Sequence, residues 1–249
     1  MLILLTNDDG IHSEGIQALK SVLDRQHRVC VVAPERERTC VGHAITLHKP
    51  LRLRKVSDNT YASNGSPADC IYLGIKAILK TMPDMIISGI NKGPNMGQDV
   101  HYSGTVAAAK EGAFLGIPSM AVSICAREHF LFGESAKAVS KIVEILAGKP
   151  FIKNTFLNIN IPNRPFENIK GLMMTKLGKR IYNDKVIKRK DPRGGSYYWI
   201  GGKAEQYENR SGTDFFAVER DYISITPFGL DMTFTGSIEK YKKYFRRSL

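Results

Sequence analysis

At 249 residues, 43% hydrophobic and 24% charged, the chain has the size and balance of a globular protein and excludes a disordered or fibrous one. No run approaches the ~18 apolar residues of a membrane helix, and the N-terminus reaches Asp8 without the basic start or cleavage site of a secretion signal, so a soluble, cytoplasmic protein is expected. The net charge of +12 points to anionic partners such as phosphate esters, nucleic acid or a membrane surface.

Residues 2–6 form an unbroken apolar run, as expected of a strand buried on both faces. After the polar break Asn7-Asp8-Asp9-Gly10, Ile16, Leu19, Val22 and Leu23 recur at helical spacing behind Ser13, a candidate N-cap. Residues 28–33 form a second buried strand ended by Pro34, which completes one strand–helix–strand unit. Residues 44–54 alternate loosely and read as a strand excursion. Ser66-Pro67 opens a helix, with a capping serine and a proline in its first turn. Residues 85–88 read as a strand leading into a loop rich in glycine and asparagine (89–97). An alanine-rich helix follows over 105–115, then a strand at 118–124 and a helix at 134–147.

This alternation predicts an α/β core with a parallel sheet flanked by helices, assigned to residues 1–160. After about residue 150 the character changes: strands at 156–161, 171–175 and 222–226, a polar aromatic stretch at 180–220 suggesting a protruding hairpin, and a basic terminal helix at 236–247, with residues 161–249 assigned to a second part. That second part reads as an elaboration used for oligomerisation through exchanged segments. Its basic residues include Lys185, Lys188, Arg189 and Lys190 with Asp184 among them, and Lys240, Lys242, Lys243, Arg246 and Arg247 near the end. They are read as solvated faces, because aromatics interleave too sparsely for single-strand binding. Cys30, Cys70 and Cys125 lie in apolar runs, and no Cys-x-x-Cys pair occurs, so free thiols are expected in place of disulfides or a zinc site.

Ligands of open α/β sheets bind beyond the carboxyl ends of the strands. Three polar clusters fall at that edge: residues 7–10, 35–43 and 89–105. Asp8 and Asp9 are adjacent carboxylates, and placing both in one cleft calls for a cation to offset their repulsion. Oxygen ligands favour Mg²⁺ or Mn²⁺ over zinc, and Asn91 supplies a further oxygen. Ser103, Gly104 and Thr105 open a helix, where amide N–H groups and hydroxyls make an anion site. The residue pattern is neither a Walker loop nor a dinucleotide fingerprint, which argues against a Rossmann oxidoreductase. A metal beside a phosphate cradle, with no cysteine nucleophile, points to phosphoryl transfer to water, with Asp8 or Asp9 orienting or deprotonating the water. Direct attack by an aspartate is the alternative chemistry. His12, His43 and His101 flank these clusters and are read mainly as surface histidines, and Tyr102 either stacks on a base or packs.

At these residues the chain resembles the SurE (survival protein E) family of 5′-nucleotidases. The resemblance rests on Leu-Leu-Thr-Asn-Asp-Asp-Gly-Ile (4–11), Val-Val-Ala-Pro-Glu-Arg-Glu-Arg (31–38), Gly-Ser-Pro-Ala-Asp-Cys (65–70), Ser-Gly-Ile-Asn-Lys-Gly-Pro-Asn-Met-Gly (88–97), Tyr-Ser-Gly-Thr-Val-Ala-Ala-Ala (102–109), Glu-Gly (111–112) and Tyr-Ile-Ser-Ile-Thr-Pro (222–227). It implies a Rossmann-like three-layer core with a mainly parallel sheet and a protruding β-hairpin, and metal-dependent hydrolysis of nucleoside 5′- and 3′-monophosphates and of short polyphosphate by a homodimer or homotetramer with an exchanged C-terminal segment. It also implies Asp8, Asp9, Asn91 and Thr39 as metal ligands, Thr39 standing where the family has serine. Phosphate is placed near Asn95, Ser103, Gly104 and Thr105. The rival reading is a non-catalytic nucleotide- or nucleic-acid-binding protein, for which polynucleotide binding would weaken steeply with salt.

Overall fold

The computed structural model describes residues 1–182, 185–201 and 204–245; Asp184, Arg246 and Arg247 of the basic runs lie outside the described residues. The first unit is β1 (Leu2–Thr6), α1 (Glu14–Leu23) and β2 (Arg28–Pro34). Next come β3 (Leu53–Ser57), β4 (Thr60–Ser63) and α2 (Pro67–Leu73), which widens into a π-type turn over Gly74–Ile78. The remaining core elements are β5 (Met85–Lys92), α3 (Gly104–Phe114), β6 (Ser119–Cys125), α4 (Phe132–Leu146) and β7 (Thr155–Pro162). Beyond them lie β8 (Gly171–Met174), β9 (Arg180–Tyr182), β10 (Lys185–Lys190), β11 (Ser196–Gly201), β12 (Ala204–Tyr207), α5 (Asp214–Glu219), β13 (Tyr222–Gly229) and α6 (Thr235–Phe245).

Nine strands form one sheet in the order β3-β4-β2-β1-β5-β6-β7-β13-β8. From β4 through β7 neighbouring strands run parallel, and β13 pairs antiparallel with β7. The alternation of strand side chains divides the core between two faces. Ile3, Leu5, Val29 and Val31 meet Ile16 and Leu19 of α1 and Val139 and Ile142 of α4, whereas Leu4, Cys30 and Val32 meet Cys70, Ile71 and Ala108. Helices therefore cover both faces, as the apolar strand runs require. The sheet continues past residue 160, with β8 and β13 at its far end. The division of the sequence at that residue follows composition and does not follow the sheet.

The expected strand over 44–54 begins only at Leu53. The preceding segment is held by side chains: the backbone N–H and hydroxyl of Thr46 both donate to the Asp69 carboxylate, and Ser66 Oγ donates to the Ala44 carbonyl. Its loose alternation marks no strand: Ile45 and Leu47 are exposed in a loop. β10 and β11 form the predicted hairpin, exposed along its whole length. Four-residue β12 pairs with β9, and the short α5, which the sequence analysis did not anticipate, packs beside β13.

Strand order reverses at β1 and β5. Chain order runs outward through β2 and β4 on one side and through β6 and β7 on the other. Such a switch point leaves a crevice at the carboxyl ends of the two central strands. The residues that follow β1 and those that end β5 therefore face one another.

Candidate active site

The crevice is a cleft of about 540 Å³ lined by Asp8, Asp9, Glu37, Thr39, Cys40, Asn91, Lys92, Gly93, Pro94, Asn95, Asp99, Tyr102 and Ser103. Residues from all three polar clusters meet there. His12, His43 and His101 do not line it: His43 pairs with Glu111 at 2.7 Å, and His12 and His101 are exposed elsewhere.

The first turn is built by Asn7. Its side-chain amide donates to the Gly10 carbonyl (2.9 Å) and to Ser13 Oγ (2.7 Å), and its Oδ1 accepts the Gly10 N–H. Gly10 closes the turn at φ +98°, a conformation that side chains rarely adopt. Asp8 and Asp9 are thereby projected from the end of β1. A bulge in β5 between Ser88 and Asn91 turns Asn91 toward them. The N-terminus of α1 seats directly on this bulge, where a Cβ on Gly15 would come within 2.1 Å of the Ile90 carbonyl oxygen.

The two aspartates are held differently. Asp8 is buried, its Oδ1 accepting the Thr105 hydroxyl at 2.5 Å and its Oδ2 the Thr105 N–H at 3.2 Å. Burial pushes its carboxyl above the usual range, and the Thr105 hydrogen bonds pull the other way. Asp9 is more open and uses Oδ2 to accept the Lys92 N–H at 3.0 Å. Burial, reinforced by the charges of Asp8 and Glu37 and opposed by that hydrogen bond, pushes its carboxyl up to about 6.

Asn91 donates its amide to the Gly93 carbonyl at 2.8 Å, which turns its Oδ1 away from that partner. Thr39 donates its hydroxyl to the Glu37 carboxylate. Ser103 caps α3: its Oγ accepts the Val106 N–H at 3.1 Å and keeps its own hydrogen to donate. Asn95 is buried and spends one amide hydrogen on Ser123 Oγ.

Two expectations shift. The amides of Gly104 and Thr105 face Asp8 and do not border the cleft, because Gly104 packs so closely that a Cβ there would lie 2.9 Å from the Asp8 Cβ. These residues shape the aspartate, while Asn95 and Ser103 border the cleft. The positive charge also lies elsewhere. Among the described residues Lys92 is the single basic residue in the cleft lining, while the basic runs of β10 and α6 are solvent-exposed.

The sequence analysis missed Glu37 and Asp99. Asp99 pairs with Arg180 at 3.1 Å, and burial raises its carboxyl despite that partner. Glu37 lies in the Glu35-Arg36-Glu37-Arg38 run, where nothing local sets it apart from Glu35, and Asp99 is a lone acidic residue in a polar stretch. With them the lining holds four carboxylates, Asp8, Asp9, Glu37 and Asp99, in a chain of strongly positive net charge. A phosphate ester would be repelled from such a cleft unless a cation came with it. Among the described residues no three His, Cys, Asp or Glu side chains gather closely enough to hold a metal by themselves. The donor set that fits is two carboxylates completed by the neutral oxygens of Asn91 and Thr39, which suits a hard ion and not zinc.

A family model described as "Survival protein SurE" matches residues 3–184. A protein named "5′-nucleotidase SurE" from Pelobacter propionicus is 47% identical over 234 residues, spanning 94% of this chain and 95% of that one. Another of the same name from Aquifex aeolicus is 46% identical, covering 92% of each. Among solved structures, the crystal structure of the SurE protein from Aquifex aeolicus superposes with a TM-score of 0.89 at 44% identity, covering 98% of this chain and 99% of that one.

Proposed function

The chain belongs to the SurE family and is a 5′-nucleotidase, and on that premise we propose that the cleft between β1 and β5 hydrolyses nucleoside monophosphates with one divalent cation, Mg²⁺ or Mn²⁺. The observation that carries this reading is the convergence of four carboxylates on a cleft whose rim also offers a free hydroxyl donor at Ser103. Asp8, Asp9, Asn91 and Thr39 are the ligands assigned to the ion. When bound there, it supplies Lewis-acid stabilisation of phosphoryl charge and acidifies water.

The side chains divide the remaining work. Asp8 has both oxygens held by Thr105, so it serves as a fixed anchor. Asp9 Oδ1 accepts no hydrogen bond among the described residues and takes the proton of the attacking water. Ser103 Oγ–H and the second amide hydrogen of Asn95 donate to phosphoryl oxygens, and the start of α3 adds its partial positive charge. Gly104 and Thr105 act on phosphate through Asp8.

The same chemistry extends to 3′-monophosphates and short polyphosphate, since every contact named is to phosphate and none to a base. Residues 161–249 supply the oligomer contacts of a homodimer or homotetramer around the 1–160 core. Val186, Trp199 and Ile200 of the hairpin and Tyr241, Tyr244 and Phe245 of α6 are exposed in the isolated chain, an apolar surface that exchange between subunits would cover. The free cysteines fit a reducing, cytoplasmic setting, and among the described residues no helix is long and apolar enough to cross a membrane.

The test is phosphate release from 5′- and 3′-monophosphates and tripolyphosphate after EDTA treatment, then with Mg²⁺ or Mn²⁺ restored. Activity lost on chelation and regained with the ion is the expected result. Undiminished activity in EDTA would remove the metal from the reading, and no release from any substrate under any condition would remove the cleft chemistry itself.

A further inference from the structure

Beneath the glycine-rich loop, three buried asparagines converge. The Asn95 carbonyl accepts two side-chain amides, from Asn158 Nδ2 and Asn160 Nδ2, each at 2.9 Å. The Asn95 N–H donates to Asn160 Oδ1 at 2.9 Å, and its side-chain amide donates to Ser123 Oγ at 2.9 Å. Asn158 and Asn160 stand two apart on β7 and so share one face of the sheet, with Ser123 opposite Asn160 on β6. The far end of the loop is fixed as well, where the Gly97 N–H donates to buried Asp214 at 2.8 Å.

The network is more polar than folding alone requires. Asn158 and Asn160 are fully buried in a sheet whose neighbouring positions Ile159 and Ile161 are apolar, and Asn158 Oδ1 has no hydrogen-bond partner among the described residues. An orphaned buried oxygen costs stability, and such costs collect where a site must be held in one geometry. What the two amides hold is the main chain of Asn95, whose side chain borders the cleft.

We infer that Asn158 and Asn160 are positioning residues for the reaction: from β7 they clamp the Asn95 peptide so that its amide meets the phosphoryl group. This rests on the proposed phosphohydrolase reading of the cleft. Neither residue reaches the cleft lining, so both act through Asn95.

The experiment compares wild type, Asn158→Leu and Asn160→Asp in the full-length enzyme, with nucleoside monophosphate as substrate and inorganic phosphate as competitive inhibitor. Asn158→Leu removes one donor together with the orphaned oxygen and should melt no lower than wild type. Its kcat/KM should fall about tenfold and inhibition by phosphate should weaken by a similar factor. Asn160→Asp keeps the acceptor for the Asn95 N–H and donates to the Asn95 carbonyl only when protonated, so its activity relative to wild type should decline as pH rises. That second profile decides the matter if Asn158→Leu does not fold. Unchanged kinetics and phosphate inhibition in both variants overturn the inference, as does lost activity that merely tracks lost folded protein. Asp8→Asn, assayed in parallel, separates the two levels. If it is inactive while the asparagine variants are normal, only the positioning role fails; if it is fully active, the cleft reading fails with it.

Discussion

The Thr105 hydroxyl donates to Asp8 Oδ1 at 2.5 Å across 97 positions of sequence, while the Thr105 N–H meets Oδ2 of the same carboxylate. One residue at the start of α3 thus grips both oxygens of Asp8, two positions past the end of β1. Thr105→Val removes the hydroxyl donor and keeps the shape. A hydrogen bond to a charged group contributes about 1.5–3 kcal/mol, so kcat/KM should fall at least about tenfold, with Thr105→Ser close to wild type. Steady-state assays of the pair decide it, and a valine variant as active as wild type would show that Asp8 needs no such grip.

Asp8→Asn keeps the size of the side chain but removes the charge that the ion requires and puts an NH2 donor where one of the two oxygens accepts from Thr105. We expect kcat to fall by about two orders of magnitude or more, with an unchanged circular dichroism spectrum. Near-normal turnover would strip Asp8 of its assigned role.

For Asp9, the folded protein holds its proton up to about pH 6, against 3.8 for the ordinary side chain. The folded state therefore binds more protons than the unfolded state across that interval, so stability falls as pH rises from about 4 to about 6 and then levels off. Burial of Asp8 acts in the same direction. Melting temperatures of the chelated protein should decline over this window. The decline should shrink in Asp9→Asn and on adding Mg²⁺ or Mn²⁺, whose charge offsets the repulsion. A slope indifferent to both would place the effect elsewhere.

Thr39 tests the ligand shell. Its hydroxyl sits on the cleft rim beside Glu37. Thr39→Ser should preserve activation by metal, whereas Thr39→Val should raise the Mn²⁺ concentration for half-maximal activity by about tenfold, a typical cost of losing one supporting oxygen. Metal titrations of activity that superimpose for the two variants would take Thr39 out of the shell.

Gly15 tests the seating of α1 on the β5 bulge. A methyl group there meets the Ile90 carbonyl oxygen at 2.1 Å, too close for any rotamer change to relieve. Gly15→Ala should cost about 2–3 kcal/mol of stability and lower activity in the folded fraction, because Asn91 follows Ile90. Thermal melts and metal titration together check both halves.

Much of this protein was legible in its sequence because local patterns carried the information. Apolar runs such as Leu2–Thr6 could only be strands covered on both faces, and the polar residues after them had to collect at one sheet edge. Asp8, Asp9, Asn91 and Ser103, each at or near a strand end or a helix start, were placed at that edge in this way and line the cleft. The tertiary structure alone decided what each contributes. Thr105 looks like an anion donor until the fold turns its donors onto Asp8; Glu37 and Asp99 carry no local signal; Asn158 and Asn160 alternate with isoleucines in a strand whose partner loop is more than 60 positions away. Periodicity and capping act over a few residues, so sequence records them directly, whereas the partner of a buried polar group is chosen by chain segments that meet only after the sheet has formed.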